Sequence, residues 1–237
     1  MRTGRPTRHE GRQTGWATTG GPGKPVTPPR YPLRMTVTPM FPLGTVLLPN
    51  GLISVQIFEP RYQQLLADVL ADGGTFGVVL IERGHEVGGG DVRFDVGTIA
   101  HIGRHDPLGD GRHDLLLHGT DRVRIDEWLD DDPYPRARVS RWPEETDADP
   151  VAVGAALDAC VAKLRRFLAL ATELGHPVAP VTFEPPDDVI VGSYLLSAYA
   201  PILTLDRQRA LEAPGPGSRI ELMSGLIDEM SEVLRVE

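Results

Sequence analysis

The amino-acid sequence predicts an α+β protein in which a small β-barrel is followed by a C-terminal bundle of α-helices. Short segments of alternating apolar and polar residues, separated by turns rich in glycine and proline, fill the chain between residues 36 and 141. Many short strands of this kind with a single helix among them are typical of a small antiparallel barrel. From residue 150 onward, apolar residues recur every three or four positions, which indicates helices. The change of pattern falls at Trp142.

Residues 1–35 have a different composition from the rest of the chain. They are rich in Gly and Pro and nearly devoid of apolar side chains, and seven basic residues stand against Glu10 alone. Such a segment cannot form a core, so we expect a disordered basic tail that is dispensable for folding, with Met35 as an alternative initiator. The formal net charge of -9 therefore combines a tail of +6 with a remainder of -15. An acidic body makes nucleic acid an unlikely partner, although the tail could contact it.

Residues 36–145 carry the elements of the predicted barrel. Ile53, Val55 and Ile57 alternate with polar residues and predict a half-buried strand. Pro60 suits the first turn of the one helix, whose apolar stripe is Tyr62, Leu65, Leu66, Val69 and Leu70 and which ends at Gly73-Gly74. Further strands are predicted at 76–81, 96–102, 115–117, 123–125 and 137–139, and the turn residues of 106–111 join two of them as a hairpin.

Residues 146–237 carry the predicted helical extension, which we expect to pack on the barrel. Asp149-Pro150 is a cap followed by a first-turn proline and begins a long helix that ends at Gly175. A second helix opens after Pro185-Pro186 and Asp187-Asp188 and ends before Pro201. Thr204 can cap a short third helix. Ser218 with Glu221 forms a capping box that predicts a last helix with Met223, Leu226, Ile227, Met230 and Val233 on its apolar face.

The order of these segments resembles the LON substrate-binding domain family, known as the N-terminal domain of the ATP-dependent Lon protease and also as a stand-alone protein. The resemblance covers residues 36–237 and rests on several short motifs. They are Phe41-Pro42-Leu43 with Val46 and Pro49, Ile57 to Tyr62, Val96 to Ala100, Gly119 to Ile125 with its Gly-x-x-Arg-hydrophobic step, Leu203-Thr204-Leu205, and Gln208 to Glu212. The resemblance implies a PUA-like barrel with helices packed against it.

The sequence offers no candidate catalytic residue, cofactor or metal site. A phosphate-binding loop is absent, since the nearest match, Gly23-Lys24, continues with Pro25. Lys163, the only lysine outside the tail, is predicted to be a solvated charge, so a serine–lysine protease dyad is not expected. His101 and His105 lie on one strand face but about 13 Å apart, too far for one ion. The lone Cys160 excludes an internal disulfide, and a cytoplasmic protein is expected.

Four residues at the start of the first helix are the candidate binding site: Phe58, Glu59, Arg61 and Tyr62. Arg61 and Tyr62 could face a groove and contact a peptide. The structural alternative is that Tyr62 belongs to the buried stripe, Glu59 stabilises the helix end and Arg61 braces a neighbouring strand.

The resemblance implies a non-catalytic module that binds exposed apolar segments of other proteins, or an adaptor, in a groove between barrel and helices. The alternative is an RNA-binding protein with a PUA-like barrel. Oligomeric state is left open.

Overall fold

The computed structural model describes residues 36–84, 92–147, 149–178 and 184–236. The predicted tail, including the glycine–lysine pair considered for a phosphate loop, lies outside the described residues. The described residues form six strands and five helices. Their bounds are β1 Thr36–Leu43, β2 Leu52–Ile57, α1 Pro60–Ala71, β3 Thr75–Arg83, β4 Val92–Pro107, β5 His113–Leu129, β6 Arg136–Arg141, α2 Pro150–Glu173, α3 Val189–Tyr199, α4 Thr204–Glu212 and α5 Pro216–Val236. The chain is therefore α+β, with the strands first and four of the helices last.

Five strands form a closed ring in the order β5-β4-β3-β1-β6, because β6 pairs with both β1 and β5. The sixth strand, β2, pairs with the first part of β5, beside the segment that β6 occupies. The predicted small barrel is confirmed, but it is not antiparallel throughout, since β1 and β3 are parallel. The physical reason is the long connection between them: β2 and α1 return the chain to the start of the sheet, as a parallel pair requires.

β5 is one continuous strand, where the sequence predicts two separate ones. Gly119 lies between the two predicted strands, and at this point the backbone of another segment approaches β5 closely. A Cβ atom at Gly119 would overlap the carbonyl oxygen of Leu48. Gly119 also donates its N–H to Gly51 O and accepts from Asn50 N at 2.9 and 2.8 Å. Glycine at this position therefore lets the β1–β2 connection cross β5 directly.

Two apolar clusters fill the barrel half. One lies inside the ring and consists of Met40, Val79, Ile99, Val123, Ile125, Ala137 and Val139. The other packs α1 against the sheet through Tyr62, Leu65, Leu66 and Val69, whereas Leu70 is 44% exposed and does not belong to the buried stripe predicted for it. Tyr134 donates to Asp68 of α1 at 2.7 Å, and burial raises the pKa of this phenol to about 12. This bond ties the C-terminal half of α1 to the connection between β5 and β6.

The four C-terminal helices share a core of their own, whose buried residues come mainly from α2 and α5. Asp149 and Asp188 are N-caps, each accepting from two backbone N–H groups. The predicted starts of two helices are wrong. Thr204 is the first residue inside α4 and not its cap, and α5 begins at Pro216, so Ser218 lies within the helix and does not cap it. On α5, Val233 is 61% exposed and Leu234 is buried in its place.

The helices contact the barrel through buried charges. Arg122 of β5 donates to the carbonyls of Leu211 and Ala213, which lie at the end of α4. Its guanidinium also lies 3.2 Å from Glu144, which in turn pairs with Arg219 of α5 at 2.7 Å. Both arginine side chains are at most 1% exposed. An apolar cluster that includes Val46, Leu48, Leu80, Val96, Tyr194 and Leu211 surrounds this network.

Candidate functional site

A groove of about 340 Å³ lies on the barrel between two strands that do not pair with each other. One wall is Phe41–Leu43 at the end of β1, and the other is Ser54–Ile57 of β2. Thr45 also lines it, together with Phe58, Glu59 and Tyr62 around the start of α1. No residue of the four C-terminal helices lines it. Phe58, Glu59 and Tyr62 therefore line a groove on the barrel alone, whereas the sequence leads us to expect the binding groove between barrel and helices.

The two walls of the groove are strand edges. β1 pairs with β6 only through Thr36–Pro39, and beyond that point it pairs with β3 on its other side. β2 pairs with β5 and with no other strand in the described part of the chain. Along an unpaired edge, backbone N–H and C=O groups point outward and can bond to another strand. Pro42 limits what β1 can donate, since proline has no N–H.

Aromatic rings form the floor of the groove. Phe41 and Tyr62 meet edge to face with ring centroids 4.6 Å apart, and both are buried. Ile57 is also buried, whereas Phe58 at the mouth is 50% exposed. An exposed phenylalanine beside a buried apolar floor is an arrangement that favours contact with apolar side chains of a ligand.

Arg61 and Glu59 form a pair at the groove's end. Arg61 Nε lies 3.1 Å from Glu59 Oε2, and the guanidinium stacks 4.4 Å from the centroid of the Tyr62 ring. Glu59 occupies the N-cap position of α1 but makes no side-chain capping bond. Of the four candidate residues, Phe58, Glu59 and Tyr62 line the groove. Arg61 does not line it; it pairs with Glu59 and covers the ring of Tyr62.

Gln63 fixes the position of this end. Its Nε2 donates to Phe58 O at 3.2 Å and to Gly111 O at 2.6 Å, which ties the start of α1 to the β4–β5 hairpin turn. Gly111 has a φ of +82°, a conformation that glycine adopts without strain. The two hydrogen bonds of Gln63 thus hold in place the backbone that carries the exposed Phe58.

The histidines of the hairpin come together in pairs and not around one ion. His105 Nε2 lies 2.9 Å from His113 Nδ1. His101 is opposite His118 across β4 and β5, and burial, followed by the neighbouring His101, lowers the pKa of His118. Within the described ranges, no group of three or more His, Cys, Asp or Glu side chains is arranged to hold a metal. Lys163, predicted to be solvated, instead bonds to Ser224 and Asp228 at 2.7 Å.

Known proteins share this architecture. The family model of the ATP-dependent protease La (LON) substrate-binding domain matches residues 37–229. The chain belongs to the LON substrate-binding domain family. A Lon N-terminal domain protein from Xanthomonas campestris has the same fold with a TM-score of 0.58 and 29% identity, over 78% of this chain and 95% of that one. The N-terminal domain of a Mycobacterium avium complex Lon protease gives a TM-score of 0.59 at 17% identity, over 82% of this chain and 99% of that one.

Curated relatives are whole Lon proteases. Lon protease 2 of Sorangium cellulosum is 28% identical over 206 residues, which are 84% of this chain and 25% of the relative. Lon protease 2 of Myxococcus xanthus is 24% identical over the same length, covering 84% and 24%. The LON-family chain thus spans about a quarter of the length of these relatives. None of its described helices is both long and apolar enough to cross a membrane.

Sequence reasoning missed two parts of the site. Phe41–Leu43 form a wall of the groove, but in the sequence they are recognisable only as a family motif. The alternating pattern of β2 predicts only that Ser54 and Gln56 lie on the polar side of a strand, but both of them line the groove. The available signal was the pair of prolines in β1, Pro39 and Pro42, since prolines within a strand indicate an edge.

Proposed function

We propose that this LON-family chain is a non-catalytic module that binds an extended, apolar segment of another protein in the groove between β1 and β2. The observation that carries the proposal is the pair of unpaired strand edges on either side of an apolar floor. The segment can belong to an unfolded client or to an adaptor, because the chemistry that the groove offers is the same for both. The family's description as a substrate-binding domain supports a protein ligand.

The expected binding mode is addition of a strand. A ligand in extended conformation places its backbone N–H and C=O groups opposite the free edge of β2, which spans six residues. Its side chains then alternate, so that every second one points to the floor formed by Phe41, Ile57 and Tyr62. A helical ligand has its backbone groups bonded internally and cannot pair with these edges. Strand addition therefore selects ligands with apolar residues at alternate positions, and the affinity depends only weakly on which apolar residues these are.

Phe58 is the side chain whose replacement tests the site with least damage to the fold. Its ring is half exposed, so Phe58→Ser removes ligand contact without opening the core. We expect the affinity for a ten-residue peptide with alternating valines, amidated at its C-terminus, to fall about tenfold, or ~1.4 kcal/mol, as for an aromatic contact at the centre of an interface. Fluorescence anisotropy of the labelled peptide measures this.

Leu70→Ser is the matched control. Leu70 is 44% exposed on α1 but lies outside the groove, so its loss is expected to leave the affinity unchanged. A second peptide, N-methylated at alternate residues, keeps the side chains and loses backbone donors, and we expect it not to bind. Equal weakening by both serine variants, or full binding of the N-methylated peptide, would show that the groove is not the site or that no strand pairing occurs.

A further inference from the structure

A second cleft, of about 200 Å³, lies where the barrel meets the helices. Its barrel side is the β1–β2 connection from Thr45 to Leu48, together with Leu52 and Ile53. Ala198 of α3 and Arg207 of α4 form the other side. Thr45 lines this cleft and the groove described above, so the two openings are neighbours.

Arg207 is a positive charge without an acidic partner. Its Nη2 donates to Ala200 O at 3.2 Å. Its Nε is buried and has no hydrogen-bond acceptor, and no carboxylate in the described part of the chain lies within ion-pair distance of its guanidinium. Burial also lowers the pKa of Arg207. Arg207 nevertheless lines the cleft, so a positive charge that no carboxylate neutralises adjoins this opening and favours an anion bound there.

Other arginines nearby do have carboxylate partners. Arg209, two residues further along α4, pairs with Asp206 at 2.9 Å. Arg219 pairs with Glu144 at 2.7 Å. The absence of a carboxylate at Arg207 is therefore a property of this cleft and not of the helices as a whole.

One exposed leucine lines the cleft, and a second lies close to Arg207 on the same helix. Leu52 is 64% exposed and lines the cleft. Leu203 is 75% exposed and lies one helical turn before Arg207, whose N–H bonds to Leu203 O. A ligand that reaches the guanidinium therefore also covers leucine side chains, so it must be both anionic and apolar.

We propose that this cleft binds the free C-terminal carboxylate of a partner protein whose last side chain is apolar. In a C-terminal residue, the carboxylate and the side chain branch from one Cα atom, so the carboxylate can meet Arg207 while the side chain meets the leucines. An Asp or Glu side chain carries its carboxylate at the tip and brings no apolar group with it. The size fits a single residue, since a cavity of about 150 Å³ already accepts benzene. This inference goes beyond the proposed function, which concerns internal segments and does not require a chain end.

The test compares two peptides on the full chain at low ionic strength. Both are ten residues long and end in Leu-Leu, one with a free carboxylate and the other with an amide. We expect the free acid to bind at least tenfold more tightly, as measured by fluorescence anisotropy. Arg207→Gln should abolish this preference, and Arg207→Lys should retain part of it. The matched control, Arg209→Gln, should behave as the unsubstituted protein, and thermal melting checks that each variant is folded.

The ratio of the two affinities decides the result. Equal binding of acid and amide to the unsubstituted protein, undetectable binding of both, or a preference that survives in Arg207→Gln would overturn the proposal. Phe58→Ser should leave the ratio unchanged, because Phe58 lies in the other groove. If the unsubstituted protein binds acid and amide equally while Phe58→Ser still weakens binding of the amidated valine peptide, the C-terminal site is refuted and the proposed function stands.

Discussion

Replacing Glu144 with alanine is expected to lower the free energy of unfolding by about 3–5 kcal/mol, which is the cost of leaving a buried charge without its partner. Glu144 lies 3.2 Å from Arg122 and 2.7 Å from Arg219, and it accepts a hydrogen bond from Tyr194. Its removal leaves two positive charges beside each other, in side chains that are at most 1% exposed. Thermal melting should show a decrease in Tm of about 10 °C.

Glu145→Ala is the control for this prediction. Glu145 is the next residue along the chain and has an exposed side chain, so its substitution should change the free energy of unfolding by no more than about 0.5 kcal/mol. Chemical denaturation of the two variants measures the difference. A Glu144→Ala protein within 1 kcal/mol of the unsubstituted one would show that the network does not hold the helices on the barrel.

Cutting the chain at Glu145 is expected to leave two fragments that do not fold cooperatively. Arg122 would lose its acceptors Leu211 and Ala213, and the apolar cluster around Tyr194 would be divided between the pieces. A buried arginine without acceptors and an exposed apolar face both disfavour the folded barrel. The helical fragment would expose Tyr194 and Leu211, which are buried in the intact chain.

Calorimetry of the intact chain should then show a single transition, because the two halves share the buried charges. Circular dichroism of fragment 146–237 is the complementary measurement. A soluble fragment that melts cooperatively would contradict this prediction and would make the helices an independent domain. Two well-separated transitions in the intact chain would lead to the same conclusion.

Local sequence signals predicted those elements that depend on neighbouring residues. Asp149 is predicted as a cap and Asp187-Asp188 as the opening of the second helix, because a cap acts within one turn; Asp149 and Asp188 are the N-caps. The hairpin turn at residues 106–111 has glycines at positions with positive φ, Gly109 and Gly111, as its composition predicts. The family resemblance, carried by short motifs in a fixed order, predicted the class of fold, and the family is confirmed.

Features that depend on distant residues could not be predicted in the same way. Arg122 stands in a recognisable Gly-x-x-Arg step, yet its acceptors lie 89 and 91 residues further along the chain. The groove exists because β6 ends its pairing with β1 at Pro39 and β2 pairs with β5 alone among the described strands. Strand neighbours of this kind follow from the closure of the ring, which no single segment encodes.

Amide hydrogen exchange tests the central claim, that the edges of β1 and β2 bind an extended segment, most directly. The measurement compares the full chain alone and saturated with the amidated valine peptide, with peptide-level resolution by mass spectrometry. Strand addition predicts slower exchange in Leu52–Phe58 and around Leu43, since these backbone groups gain partners, and unchanged exchange in α5. Slower exchange confined to the helices, or no change in Leu52–Phe58 when the peptide is bound, would contradict the claim.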